Sequence, residues 1–193
     1  MLSPQTITPI AKAIKERRSI KNGYLDRPVP RELVVNLLED AVWAPNHGLR
    51  EPWRFIFVGE EDIDRFADQM ADTFKLEMRE NRRTYFRQPK AYLIVIMKAD
   101  PRQKQWDENY GAVSSMIQNF QLLAWEKRLG VVWKTNPHIY DPKVYDILGV
   151  SGGEKIVGFL QLGFFDQDAI PKRKAPTPAK ELMTDFGDIS SIE

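Results

Sequence analysis

Residues Ala91–Met97 read AYLIVIM, a run that is apolar at every position. Successive side chains of a strand point to opposite faces, so such a run is a strand buried on both sides. A sheet built around it has to be covered above and below, and helices are the usual cover. The rest of the chain supplies them. Thr8-Pro9 is a helix start, an N-cap followed by proline at the first helical position, with Ile10, Ala11 and Ile14 sharing one face. Leu33, Val34, Leu37, Leu38 and Ala41 mark a second amphipathic helix over Pro30–Ala44, which Pro45 stops. Ile63, Phe66, Ala67, Met70, Phe74 and Met78 line a third.

The longest helical pattern runs from Trp106 to Leu129, with Val113, Met116, Ile117, Phe120, Leu123 and Ala124 facing inward and Gly130 ending it. Small residues at Gly111, Ala112, Ser114 and Ser115 would let another backbone approach it. Pro142–Leu148, closed by Gly149, is a short helix. Three further strands are expected at Trp53–Val58, Val131–Thr135 and Ile156–Phe165. By pattern alone, four strands separated by helices suggest an α/β three-layer domain, with strand direction undecided. The 193 residues suit a single domain over 1–193, and no repeat or linker divides them. From about residue 166 the chain carries Pro171, Pro176 and Pro178, which reads as an extended tail lying across another surface, such as a second subunit.

Several chemistries are excluded by what is missing. The chain has no cysteine, which removes disulfides, thiolate-held clusters and thiol nucleophiles. Its only histidines are His47 and His138, too few for a histidine-rich metal centre, so no metal is expected. No run approaches the roughly 18 apolar residues of a membrane span, and the first residues lack the features of a secretory signal, so a cytoplasmic location is expected. The 28 basic and 27 acidic residues nearly cancel, which argues against nucleic acid or an acidic membrane as partner. The only glycine cluster, Gly149 to Gly158, follows a helix and leads into a strand, the reverse of a dinucleotide-binding turn. No Walker A loop, H-E-x-x-H pair or G-x-S-x-G elbow occurs.

Locally, charge does separate. Lys12, Lys15, Arg17, Arg18 and Lys21 stand against the single acid Glu16, a second basic cluster spans Arg79–Lys90, and a third is Lys172-Arg173-Lys174. Such a cluster either forms a solvated face or grips a small anion. Three segments give the first cluster a context. They are Arg17-Arg18-Ser19-Ile20-Lys21, the loop Trp43-Ala44-Pro45-Asn46-His47-Gly48-Leu49-Arg50-Glu51-Pro52-Trp53, and Gly130-Val131-Val132-Trp133-Lys134-Thr135. Their order and spacing resemble the flavin-dependent nitroreductase family, especially its short single-domain NAD(P)H nitroreductases. The resemblance runs from about Ile14 to Gly163.

What the resemblance implies is an α+β fold, a three-layer α-β-α sandwich with a mixed, mostly antiparallel sheet, in place of the α/β reading. It also implies a homodimer with FMN at the interface and the tail on the partner. Hydride would pass from NADH or NADPH through flavin N5 to a nitroaromatic, quinone or similar electron-poor small molecule. The flavin carries that chemistry, so no catalytic acid or base is required of the protein. Arg17 would bind the phosphate, Ser19 the phosphate or ribityl chain, and Lys21, where many relatives carry Arg, would sit nearer the ring. Arg18 belongs to the same motif. His47 matches a flavin-contacting histidine of the short branch, and Trp43 would pack near the ring. Val132, Trp133 and Lys134 match the segment alongside the flavin, with Lys134 as the charge near N1. Arg173, beside Lys174, falls where relatives carry a C-terminal cation for the phosphate.

Each residue also has a plainer reading. The cations could satisfy carbonyls at a helix C-terminus, Trp43 and Trp133 could be core residues, and His47 an ordinary loop polar group. Leu49 and Glu51 replace the family's usual asparagine and glutamine, and Glu51 would set negative charge near a ring that must become anionic. A flavin-binding or sensory module without reductase turnover is therefore an alternative, and a phosphate-binding module without flavin a third.

Overall fold

The computed structural model describes residues 7–189. The expectations for the first six residues and for the end of the tail beyond residue 189 lie outside them. Helices α1 (Pro9–Glu16) and α2 (Arg31–Ala41) precede strand β1 (Trp53–Val58). Helices α3 (Ile63–Asp72) and α4 (Arg79–Arg87) lead to β2 (Ala91–Lys98). Then come α5 (Gln103–Glu126), β3 (Leu129–Lys134), α6 (Pro142–Leu148) and β4 (Glu154–Phe164). The tail carries two single turns, α7 (Ala179–Leu182) and α8 (Phe186–Ile189).

The four strands form one sheet in the order β1-β2-β4-β3, and every neighbouring pair is antiparallel. The fold is thus α+β, and the α/β expectation from pattern alone is corrected. Strand β2 is buried throughout except at Lys98. Ala91, Leu93, Val95 and Met97 face a core shared with α2 and α5, through Val34, Leu37, Val113, Met116, Ile117 and Phe120. Tyr92, Ile94 and Ile96 face a second core with Phe66, Met70, Phe86, Val144 and Leu148 from α3, α4 and α6. Burying these two faces at about 25 cal/mol per Å² is the main contribution to holding the three layers together. The mixed character of the sheet reduces to one parallel bridge among the described residues, between Ser19 and Val131.

Where the signals are local, the elements begin and end as expected. The Thr8 hydroxyl accepts from Ala11 N at 3.3 Å, the Asp141 carboxylate accepts from Lys143 N at 2.9 Å, and Gly149 closes α6 at φ 57°. Elsewhere there are corrections. The third helix does not run to Met78: Thr73 hydroxyl donates to Met70 O at 2.8 Å, Lys75 turns extended, and α4 starts afresh at Arg79. Helix α2 stops at Ala41, so Trp43 lies beyond it. Helix α5 begins and ends three residues before the expected bounds, and Arg128, at φ 56°, makes the turn assigned to Gly130. The tail carries α7 and α8 rather than a purely extended chain, and Leu182, Met183 and Phe186 remain exposed.

Over their paired stretch, from Ala91 opposite Leu162 to Lys98 opposite Glu154, β4 carries one residue more than β2. The pairing steps from Val95 opposite Gly158 to Ile96 opposite Ile156, leaving Val157 as a bulge. Trp133 covers it, its Nε1 donating to Val157 O at 3.2 Å.

Candidate functional site

Two close approaches lay the chain after α1 against the outer edge of the sheet. A Cβ on Gly130 would stand 2.7 Å from Ile20 Cβ, and one on Gly163 would stand 2.5 Å from the Tyr24 ring. Only glycine leaves room for those side chains. Tyr24 also donates to Ile20 O at 2.7 Å, Leu25 N to Phe164 O at 2.8 Å, and Tyr24 bridges to Phe165. Residues 17–25 are therefore fixed beside β3, with Ser19 opposite Val131.

This edge gathers Arg17, Arg18, Ser19, Lys21, Lys134 and Arg173. Arg17 is partly buried and donates from Nη1 to Gln121 Oε1 of α5 at 3.3 Å. Its guanidinium is held below its usual pKa, first by burial and then by the charges of Arg173 and Arg18. The Lys134 ammonium is lowered in the same way, first by burial and then by Lys21. Among the described residues, none of these five cations forms an ion pair, although the rest of the surface is rich in them. Arg18, Ser19, Lys21 and Arg173 line a cavity of about 420 Å³ together with Asn22 and Lys172.

Like charges crowded together and partly desolvated raise the energy of the unliganded chain, and an anion relieves it. The group suits a phosphate monoester, which carries about −2 charge and takes charge-assisted hydrogen bonds. It therefore fits the phosphate end of FMN. Arg18 has a structural duty as well: its Nη1 donates to Lys15 O, Glu16 O and Arg17 O at 2.7, 2.9 and 2.9 Å, closing the C-terminus of α1. The plainer reading of the cations is thus realised by Arg18, whereas Arg17 turns to α5.

Val132 is a buried strand residue, and Trp133 is committed to the sheet. A Cβ on Gly158 would fall 2.1 Å from its Nε1. What Val132–Lys134 offer a ligand is backbone, since β3 is an end strand paired with β4 on one side.

Trp43 and His47 do not line the cavity at this edge. They stand on the loop after α2, where Trp43 is 87% exposed, Leu49 84% exposed, and His47 exposed. Gly48, Leu49 and Glu51 have φ of 64°, 51° and 44°, a left-handed stretch in which two residues are not glycine. Asn46 Oδ1 accepts from Glu51 N at 3.0 Å, and Arg50 pairs with Glu108 near the start of α5. The Glu108 carboxyl is held below its usual range, first by its hydrogen bond from Arg50, with smaller contributions from His47 and Lys104. Glu108 and Gln121 are thirteen residues apart, about 20 Å along a helix. The Arg50–Glu108 pair thus sits toward the opposite end of α5 from Gln121, whereas the end of α2 just before Trp43 lies against its later half, where Asn119 Nδ2 donates to Ala41 O at 3.3 Å.

Gln121, Arg50 and Glu108 were not among the expected site residues. The one sequence signal for Gln121 is a polar residue beside Phe120 and Ala124, and it is buried. Among the described residues no group of three or more acidic or histidine side chains could hold a metal ion, and no helix is long and apolar enough to cross a membrane.

Known proteins place the chain firmly. The YfhC protein of Bacillus subtilis (strain 168), which carries a provisional NAD(P)H nitroreductase name, is 35% identical over 182 residues, 90% of this chain and 92% of that protein. The crystal structure of a nitroreductase-like family protein from Bacillus cereus superposes with a TM-score of 0.86 at 41% identity, covering 95% of this chain and 99% of the other. A Desulfovibrio desulfuricans protein, provisionally named a nitroreductase and solved in complex with FMN, shares the fold at a TM-score of 0.73 and 23% identity, covering 93% and 98%. The sequence profile of the Nitroreductase family matches residues 14–164, from the last turn of α1 through the end of β4. With the antiparallel sheet, its flanking helices and the cation edge in register with that match, this chain belongs to the nitroreductase family.

Proposed function

We propose that the protein is an FMN-dependent oxidoreductase that works as a homodimer and uses NADH or NADPH to reduce an electron-poor small molecule, such as a nitroaromatic or quinone. The observation that carries the reading is the edge cluster of Arg17, Arg18, Lys21, Lys134 and Arg173 without an ion pair among the described residues. FMN bound in a structurally similar relative supports the same assignment.

Arg17, Ser19, Lys21 and Arg173 hold the phosphate, and Gln121 orients Arg17. The backbone of Val132–Lys134 flanks the ring, while Lys134 supplies positive potential where the reduced cofactor gains negative charge. When bound, FMN would supply the redox chemistry, the transfer of hydride from NADH or NADPH to the acceptor. Trp43 and His47 reach the same site from a second copy. The exposure of both side chains in the single chain supports this arrangement. The exposed apolar Ile10 of α1, Leu182, Met183 and Phe186 at the end of the tail, and Gly111, with nothing within 4 Å of the place of a Cβ, provide surface for that second copy. No residue of the chain need transfer a proton. The protein orients the ring and shields it from water.

The test is the visible spectrum after incubation with FMN, read together with the mass in solution. A yellow dimer that bleaches on anaerobic addition of NADH or NADPH is expected. Protein that takes up no flavin overturns the proposal, and flavin that does not bleach makes the chain a binding module without turnover.

A further inference from the structure

The edge cluster holds more positive charge than one FMN phosphate needs. Beside the cavity assigned to that phosphate lies another of about 400 Å³, lined by Lys15, Lys174, Ile14, Ala175 and Pro176. Arg18 and Arg173 line both. Together the two cavities expose Lys15, Arg18, Lys21, Lys172, Arg173 and Lys174, six positive charges, and no carboxylate lines either one. The nearby Glu16 is 4.0 Å from Lys12. A single phosphate monoester offsets about two of the six.

The second cavity is the more apolar of the two. Its remaining wall is Ile14, Ala175 and Pro176, whereas the first adds the polar Ser19 and Asn22 to Ala169 and Pro171. A ligand that fits it joins a dianionic phosphate to a flat apolar body, and it must reach the flavin site from next door. We propose that this cavity binds the 2′-phosphoadenosine end of NADPH, so that the protein prefers NADPH to NADH. Lys15 and Lys174 grip the 2′-phosphate, and Ile14 and Pro176 pack on the adenosine. The inference rests on the flavin reading above and adds the choice of reductant.

The experiment uses the full chain loaded with FMN. In equilibrium dialysis, 2′,5′-ADP is expected to bind about tenfold more tightly than 5′-AMP, the margin a charge-assisted phosphate contact supplies. In the same protein kcat/KM is expected to be about tenfold higher for NADPH than for NADH, with the ratio shrinking as salt is raised. Lys15→Glu is expected to remove both preferences while leaving flavin stoichiometry unchanged and kcat/KM for NADH within about twofold. Equal affinity for 2′,5′-ADP and 5′-AMP overturns the inference and leaves the flavin reading intact. Inorganic phosphate binding as tightly as 2′,5′-ADP also overturns it, making free phosphate the ligand. A colourless protein overturns both readings before any nucleotide is added.

Discussion

The indole of Trp133 donates to the carbonyl of Val157, the one residue that β4 carries in excess of β2. The bulge gives Val157 no opposite number in either ladder, and Gly158 provides the space the indole occupies. Trp133→Phe removes the donor and is expected to cost about 1–2 kcal/mol of stability, with FMN affinity changed less than about threefold because backbone faces the cofactor. Gly158→Ala is expected to be worse, about 2–4 kcal/mol, since a rigid indole stands where the methyl must go. Denaturant unfolding and flavin titration on the two variants check both statements.

Arg17 behaves oppositely. It is crowded by Arg18 and Arg173, and its guanidinium donates to the neutral Gln121. Arg17→Ala is expected to weaken FMN binding about tenfold or more, while the flavin-free protein changes stability by less than about 1 kcal/mol. A large loss of stability without loss of flavin would assign Arg17 to the fold instead.

His138 predicts a pH dependence unrelated to the cofactor. Its ring packs against Phe86, Phe159 and Phe74 at 5.3, 5.2 and 6.2 Å, and its Nε2 has no hydrogen-bond partner. Burial, helped by Arg82, pushes its pKa down from 6.5 to about 4. The unfolded chain therefore takes up a proton before the folded one does. Stability is full above about pH 6.5 and falls as pH drops toward 4, by about 3 kcal/mol in all. The Glu154 carboxyl, lowered to about 2 chiefly by its hydrogen bond from Arg54, loses its contribution only below its ordinary 4.5. Thermal unfolding between pH 7 and 4.5 is expected to show the loss (pH values set about the two histidine values), and His138→Phe to flatten it.

The loop at Leu49 and Glu51 holds two side chains in a backbone region that favours glycine. Leu49→Gly is expected to stabilise the flavin-free protein by about 0.5–1 kcal/mol. If the strain serves to present Trp43 and His47 to a second copy, the same change slows reduction of the acceptor. Comparing melting temperature with turnover separates the two effects.

How much of this was legible depended on how far apart the interacting groups lie in the chain. Thr8-Pro9, Pro142 and Gly149 announced helix ends because capping involves neighbours three or four residues away; the Asp141 cap itself went unread. Ala91–Met97 announced the central strand because both of its faces are apolar. The stop at Thr73 was hidden, since Phe74 and Met78 continue the helical spacing beyond it. Gly130 was legible as a required glycine but not for its reason, which is the Ile20 side chain more than a hundred residues away.

The cations of the site were equally plain as a run of letters, and so was the match of three segments to one family. Sequence alone determined the buried strand, the capped helices, the absence of thiol and histidine-rich metal chemistry, and the set of charges. Tertiary structure decided that the strands run antiparallel, that Arg18 closes a helix while Arg17 reaches α5, and that Trp43 and His47 stand exposed on the loop after α2. Capping and periodicity act within a turn or two of chain and are written there. Strand order and the meeting of distant charges depend on which buried faces pack together, a property of the whole chain.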